Sequence, residues 1–170
     1  MASAEMSPEE RMGRACIRGD RAVVANYLAL GGNPDALWQG STGLMWAAME
    51  NHADIVDLLL VAGTAIDFPT QGTGVNDAGY TALMYAAESD RRDIVLALLS
   101  RSADITGRNA YGETVLMMVA RNGQTDIVEQ LVKMGADINA TNKIGDTALY
   151  LAADNGQAYA VASLIRAGAS

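Results

Sequence analysis

Few side chains in this chain of 170 residues could do chemistry at a single site. There is one histidine, His52, so nearly every histidine-based mechanism is excluded, and no Ser-His-Asp order is present. There is one cysteine, Cys16, which excludes an internal disulfide and a cysteine metal cluster. Cys16 stands where later units place alanine, as in Ala48 and Ala87, and nothing suggests a depressed pKa of its thiol, so we expect a small buried side chain. We expect His52 to have a structural role in a loop.

The carboxylates are numerous, at twenty Asp and Glu residues, but their positions favour structure over catalysis. Asp54, Asp93 and Asp126 each begin an apolar helical pattern, where a negative charge stabilises the helix macrodipole. The glycine-containing stretch 72–74 lacks the lysine and the following helix of a phosphate-binding loop, and we interpret it as a flexible loop. We therefore expect no catalytic residue, no metal and no cofactor, and we expect that the protein is not an enzyme.

Composition and charge narrow the class of partner. The chain is 50% hydrophobic and 19% charged, which is typical of one globular domain and not of a disordered chain. A formal net charge of -8 disfavours nucleic acid as a partner, because phosphate binding needs a basic face, and it is compatible with a neutral or basic protein. No apolar stretch approaches the roughly 20 residues of a membrane span. We expect a protein partner, with no nucleic acid and no membrane.

The sequence contains internal repeats, and these indicate the helices and loops that position the residues named above. A segment of the form Gly-x-Thr-x-Leu recurs, and its threonines Thr81, Thr114 and Thr147 follow one another at equal intervals. In an earlier copy, Thr42 precedes Thr81 by six positions more than this interval. Each threonine precedes an apolar helical segment, where its hydroxyl is expected to cap backbone N–H groups.

Two further blocks repeat in the same register. An Asp-Ile-Val block begins at Asp54, Asp93 and Asp126 and weakens to Tyr159-Ala160-Val161 in the last copy, and a closing block covers 63–67, 102–106 and 135–139. A degenerate first copy covers 14–35. The three blocks resemble the ankyrin repeat, whose usual line is T-P-L-H-x-A-A, then G-H-x-x-I-V-x-L-L-L, then G-A-D-V-N-A. The proline and the histidine of that line are replaced here by Gly43, Ala82, Val115 and Ala148, and by Met45, Met84, Met117 and Tyr150.

The resemblance implies an all-α fold, an ankyrin-repeat solenoid of stacked helix-turn-helix units with protruding β-hairpin or finger loops. We expect an N-terminal tail over 1–7 and a single domain over 8–170, with units at about 8–37, 38–76, 77–109, 110–142 and 143–170. Stacking neighbouring units would build a continuous core with polar outer sides at both ends. We expect Met45, Met84 and Met117 to fill that core, and Met49 and Met118 to be better candidates for exposure.

The resemblance also implies a concave face, lined by finger tips and first helices, that binds another folded protein. Trp38, Tyr80 and Tyr111 on successive fingers are predicted to form an aromatic line ringed by carboxylates, which is the usual anatomy of an interface hot spot. The candidate partner-binding residues are Trp38, Trp46, Met49, Glu50, Phe68, Gln71, Asp77, Tyr80, Tyr85, Glu88, Tyr111, Glu113, Arg121 and Asp146.

The six additional positions lie between Asp67 and Gly79 and create an extended finger at 68–76. A longer finger costs little loop entropy, so a tolerated insertion is one interpretation. The other is a protruding element that enters a cleft on a partner, with Phe68, Gln71 and Val75 beyond the regular row. The sequence leaves both open.

The predicted function is a non-enzymatic protein–protein interaction module that binds one folded partner and is a monomer when free. The alternative is a dedicated inhibitor or immunity protein that occludes the active site of a partner enzyme. A scaffold or adaptor is a further form of the predicted interaction module. Irregular units disfavour an engineered binder. The cytoplasm is the default compartment, and the bacterial periplasm is the alternative because Ala2-Ser3-Ala4 resembles the end of a cleaved secretory signal.

Overall fold

The computed structural model describes residues 6–71 and 79–170. In these residues the chain forms ten helices in five consecutive pairs, which we number units 1 to 5. The pairs are α1 (Pro8–Arg18) and α2 (Arg21–Ala29), α3 (Gly43–Met49) and α4 (Ala53–Val61), α5 (Ala82–Glu88) and α6 (Arg92–Ser100), α7 (Val115–Arg121) and α8 (Thr125–Lys133), and α9 (Ala148–Asp154) and α10 (Ala158–Arg166). The predicted all-α repeat solenoid is confirmed.

The first helices of the units stack in a row, since α1 packs on α3, α3 on α5, α5 on α7 and α7 on α9. Each second helix packs on the first helix of its own unit. Met45, Met84 and Met117 are buried between units, as predicted. The expectation for Met118 was wrong, because this side chain is fully buried in α7, and Met49 is half-buried. A periodic apolar pattern within one helix does not distinguish these positions, because burial depends on the other helices packed against that helix.

The threonines begin the first helices as predicted. The hydroxyl oxygens of Thr42, Thr81, Thr114 and Thr147 accept hydrogen bonds from the backbone N–H three positions later, at 3.2 to 3.4 Å. Each hydroxyl satisfies one of the backbone donors that a helix start leaves without an intrahelical partner. Asp54, Asp93 and Asp126 lie in the first turns of α4, α6 and α8, where their charge complements the helix dipole.

The fingers connect one unit to the next and cover 30–42, 62–81, 101–114 and 134–147. The first finger contains an antiparallel hairpin of β1 (Leu37–Trp38) and β2 (Ser41–Thr42), with Trp38 paired to Ser41. Its turn residues Gln39 and Gly40 both have positive φ, at 52° and 79°, as a two-residue hairpin turn requires. In the fourth finger the corresponding pairing is a single bridge between Thr141 and Thr147.

The loop between the two helices of a unit reaches back to the preceding unit. His52 Nε2 donates to the carbonyl oxygen of Ile17 at 3.0 Å, and Arg91 Nε donates to that of Met49 at 3.0 Å. The side chains at the same position in units 4 and 5 do likewise, with Gln124 donating to Asp90 and Gln157 to the Arg121 carbonyl. His52 therefore has the structural loop role predicted for it.

Cys16 is fully buried in α1, and burial raises the pKa of its thiol to about 12. The prediction of a small buried thiol is confirmed. The outer side of unit 5 is less polar than expected for an end unit, because Tyr150, Tyr159 and Ile165 are exposed there. Among the helices of the described residues, none has the length and apolar character needed to cross a membrane.

Candidate functional site

The first helices and the fingers together form one side of the solenoid, which we call the inner face. Most of the predicted site residues fall into two groups on this face, one around Trp38 in units 1 and 2 and one around Arg121 in units 3 to 5. The two groups differ in how much of their apolar surface is left for a partner.

The tryptophans of the first group pack against each other and against unit 1. The rings of Trp38 and Trp46 have centroids 5.7 Å apart, and Trp46 Nε1 donates to the Trp38 carbonyl oxygen at 3.4 Å. The Arg14 guanidinium lies 5.7 Å from the centroid of the Trp38 ring. Gly13 makes room for this ring, since a Cβ at Gly13 would lie 2.6 Å from its Cε3 atom. Trp38, in the first finger, therefore has a packing role against α1 and Trp46.

Tyr80 begins the second group at the end of the second finger. Its ring stacks on Tyr85 with centroids 5.0 Å apart, and its backbone N–H donates to the Thr70 hydroxyl at 2.9 Å. Burial raises the pKa of Tyr80 to about 12, and the negative charge of Glu88 adds to the shift. Tyr80 is therefore a neutral hydrogen-bonding group throughout the physiological range.

Arg121, at the end of α7, joins two carboxylates from different elements. Its Nη1 donates to Glu113 Oε1 at 2.8 Å, and its Nη2 donates to Glu88 Oε2 at the end of α5. Glu113 is buried, and its second oxygen accepts from Asn109 Nδ2 at 3.0 Å. Burial works against the charged form of Arg121, but the two carboxylates outweigh it and raise its pKa. The group stays charged and holds units 3 and 4 together.

These residues surround a hollow of about 350 Å³ on the inner face. Its lining comes from three successive units and comprises Tyr80, Glu88, Tyr111, Glu113, Arg121, Asn142, Lys143 and Ile144. Five of these eight were predicted as site residues. Tyr111 is 42% exposed and Ile144 is 82% exposed at the tips of neighbouring fingers. The hollow thus combines an ordered ion-pair floor with two apolar side chains open to solvent.

Two asparagines that the sequence analysis did not single out shape the finger tips. Asn109 Oδ1 accepts from the backbone N–H groups of Tyr111 and Glu113, both at 2.9 Å. Asn142 Oδ1 accepts in the same way from Ile144 at 3.1 Å and Asp146 at 2.9 Å. A signal was present, since both residues precede a repeat glycine by three positions and are separated by one repeat interval. Asparagine commonly folds a turn by bonding to the backbone that follows it.

The remaining predicted residues do not join either group. Met49 is half-buried and Glu50 is exposed at the end of α3, while Asp146 is half-buried and bonded to Asn142. Phe68 was expected beyond the regular row, but it packs against the core at the start of the extended finger. Gln71 is exposed, and its backbone N–H donates to the Gly40 carbonyl oxygen at 2.9 Å. Asp77 and Val75 lie outside the described residues.

No group of three or more His, Cys, Asp or Glu side chains in residues 6–71 and 79–170 is arranged to hold a metal ion. The carboxylates near the hollow are engaged by Arg121 and by asparagine amides. Their arrangement can position an arginine and a finger tip, and it can offer polar groups to a surface that docks on Tyr111 and Ile144.

The fold and the inner face define a class, the helical-repeat solenoids that present one continuous binding side built from successive units. A family model described as ankyrin repeats, in three copies, matches residues 12–109 and 103–170, and the chain belongs to the ankyrin-repeat family. Ankyrin repeats are generally protein–protein interaction modules. No curated protein matches the sequence.

Proposed function

We propose that the chain is a non-enzymatic interaction module that binds one folded protein through the Arg121 half of its inner face. The observation that carries this proposal is the hollow between units 3, 4 and 5, where Tyr111 and Ile144 are exposed beside a fixed ion-pair network. The module is a monomer when free.

The hydrophobic core does not include these exposed apolar side chains. The core is built from the buried residues of the helix pairs, and Tyr111 and Ile144 do not belong to it. A tyrosine or isoleucine at the centre of an interface is an effective anchor when polar groups around it exclude water. Glu88, Arg121 and Lys143 stand in that position here. Because Arg121 is already fixed by two carboxylates, binding would order few additional side chains.

The inhibitor form of this proposal and the adaptor form use the same face. They differ in what the bound protein does, so the identity of the partner separates them. In the inhibitor form, the extended finger at 68–76 enters an active site while the hollow holds the adjoining surface. Gln71, exposed at its base, is the described residue that would then touch the enzyme.

The test compares two double variants of the same composition. Tyr111→Ala with Ile144→Ala removes the exposed side chains of the hollow, and Tyr159→Ala with Ile165→Ala removes side chains that are 84% and 57% exposed on unit 5. Each immobilised chain is presented to extract of the source cells, recovered proteins are quantified by mass spectrometry, and the partner is then titrated in purified form.

We expect the unit 5 variant to recover the same partner as the unaltered chain. We expect the hollow variant to bind it at least about ten-fold more weakly, as two interface anchors at roughly 1 kcal/mol each would require. Equal affinity of the two variants would overturn the assignment of the site. Loss of a partner's enzymatic activity on titration would identify the inhibitor form, and unchanged activity would identify the adaptor form.

A further inference from the structure

Unit 1 differs from the rest of the chain in its charge. Four of the twelve basic residues of the protein fall within 11–21, although the chain as a whole carries a net charge of -8. Arg11, Arg14 and Arg18 are spaced by three and four positions along α1, so they project from one side of this helix. The spacing of Arg11 and Arg18 is two helical turns, or about 10 Å.

Two of these guanidinium groups are not neutralised. Arg14 is paired with Glu10 at 2.8 Å, but Arg11 and Arg18 are exposed and make no ion pair with any of the described residues. All three arginines line a hollow of about 210 Å³ beside Met6, Ala15, Asp20 and Val23. The Asp20 carboxylate accepts from the Val23 backbone N–H at 3.2 Å as the cap of α2. The hollow is thus a cationic site on the outer side of unit 1.

An apolar hollow adjoins the cationic one and shares Arg11 and Val23 with it. It measures about 200 Å³ and is lined by Pro8, Arg11, Met12, Val23, Asn26, Tyr27 and Leu30. Leu30, just after α2, is 80% exposed at its rim. An apolar cleft that borders the unpaired Arg11 and adjoins the hollow of Arg18 is suited to a chain segment that carries both an apolar side chain and carboxylates.

We propose that this surface, the arginine face of unit 1, is a second docking site and that it binds an acidic amphipathic segment of a protein. Carboxylates of the segment pair with Arg11 and Arg18, and an apolar side chain enters the hollow beside Tyr27 and Leu30. A protein segment fits better than nucleic acid, because two unpaired guanidiniums on an acidic molecule cannot follow a phosphate backbone. The proposal goes beyond the inner face and does not depend on it.

The probe is a fluorescein-labelled synthetic helical peptide with Glu on one face and Leu on the other, followed by fluorescence anisotropy. A second peptide has Gln in place of Glu. Arg11→Gln with Arg18→Gln tests the charges, and Arg101→Gln with Lys133→Gln is the control with the same change of net charge at exposed positions of units 3 and 4. Leu30→Ser tests the apolar hollow, and Val61→Ser is its control at the exposed end of α4.

We expect the unaltered chain to bind the Glu peptide and to prefer it to the Gln peptide by about ten-fold. The Arg11 and Arg18 variant should lose about ten-fold in affinity and Leu30→Ser about three-fold, while both controls stay within two-fold. Affinity for the Glu peptide should fall as salt rises from about 0.05 to 0.5 M, because the paired charges are exposed. Tyr111→Ala with Ile144→Ala should bind the peptide normally, which separates this site from the inner face.

Absence of binding by the unaltered chain would overturn the proposal, as would an equal loss of affinity in the two charge variants. Tighter binding of a single-stranded oligonucleotide at the same arginines would assign the face to nucleic acid instead. Sedimentation velocity measures whether the chain forms a dimer in solution. A dimer of the unaltered chain that dissociates on changing Arg11 and Arg18 would show that a second copy of this chain occupies the face.

Discussion

The two aromatic groups of the inner face show how the neighbouring unit decides what a finger residue does. Trp38 lies against a helix that has a glycine at the point of contact, so its ring packs closely on α1 and the side chain is half-buried. Tyr111 lies above a floor already filled by Glu113 and Arg121, so its ring stays partly in solvent. Both side chains are aromatic, so residue type alone predicts the same role in partner binding for each. What lies beneath the two rings packs one of them into the fold and leaves the other partly exposed.

The largest expected effect separates these two roles directly. Trp38→Ala should lower the free energy of unfolding by about 3 kcal/mol, because it empties a packed site between unit 1 and unit 2. Tyr111→Ala should cost about 0.5 kcal/mol, since much of that ring is already exposed. Urea denaturation followed by circular dichroism measures both. Equal losses would remove the distinction between the two groups.

The next largest loss of stability is expected for the ion pairs of Arg121 beneath Tyr111. Arg121→Met should cost about 2 kcal/mol, because it leaves the buried Glu113 carboxylate without its cation. Glu88→Gln should cost less than about 0.5 kcal/mol, because the Glu88 side chain is 42% exposed and water can replace the interaction. The same denaturation experiment compares them. A Glu88→Gln variant as unstable as Arg121→Met would mean that Glu88 carries the network.

The glycine beneath Trp38 allows a sharper test by a double-mutant cycle. Gly13→Ala should destabilise the chain by about 1 kcal/mol, because the new methyl group meets the Trp38 ring and this outweighs the better helix propensity of alanine. In a chain that already carries Trp38→Ala, the same change should be neutral or stabilising. Additive effects in the cycle would show that the two residues do not interact.

The smallest effect is spectroscopic and concerns Tyr80. Its folded pKa of about 12 lies above the ordinary value of about 10, so ionisation favours the unfolded chain. The stability that Tyr80 contributes is complete below pH 10 and is lost as pH rises from 10 to 12. Burial also raises the pKa of Tyr27, so absorbance at 295 nm should show more than one late-titrating tyrosine, and the latest component should disappear in Tyr80→Phe. An unchanged late component in that variant would assign it to another tyrosine.

The repeat architecture was predictable because its signals are local and recur in register. Each threonine cap and each Asp-Ile-Val helix start depends only on the few residues around it. These signals can therefore be recognised in the sequence without the structure. The side that Met118 faces was not predictable in this way. Burial of Met118 depends on the packing of α7 against other helices, and the pattern within one helix does not reveal it.

The candidate site was predictable in part for the same reason. The five hollow residues predicted from the sequence, Tyr80, Glu88, Tyr111, Glu113 and Arg121, were found because the resemblance gives the finger and helix-end positions. Which aromatic rings would pack onto the fold could not be predicted, since the packing of Trp38 depends on Gly13, which lies on α1 and is far from Trp38 in the sequence. Asn109 and Asn142 could have been found from their own repeat spacing.

In units 2 to 5, a side chain from the loop between the two helices bonds to the preceding unit, and this pattern has a mechanical consequence. His52, Arg91, Gln124 and Gln157 each tie their unit to the one before it and to no other. The molecule is therefore a row of elements in series, and its bending compliance is the sum of the compliances of its junctions. A rigid body seated on Tyr80, Tyr111 and Ile144 would span two of these junctions and lock their curvature. Such a body would stiffen the solenoid across units 3 to 5 and leave the junctions between units 1, 2 and 3 free to bend.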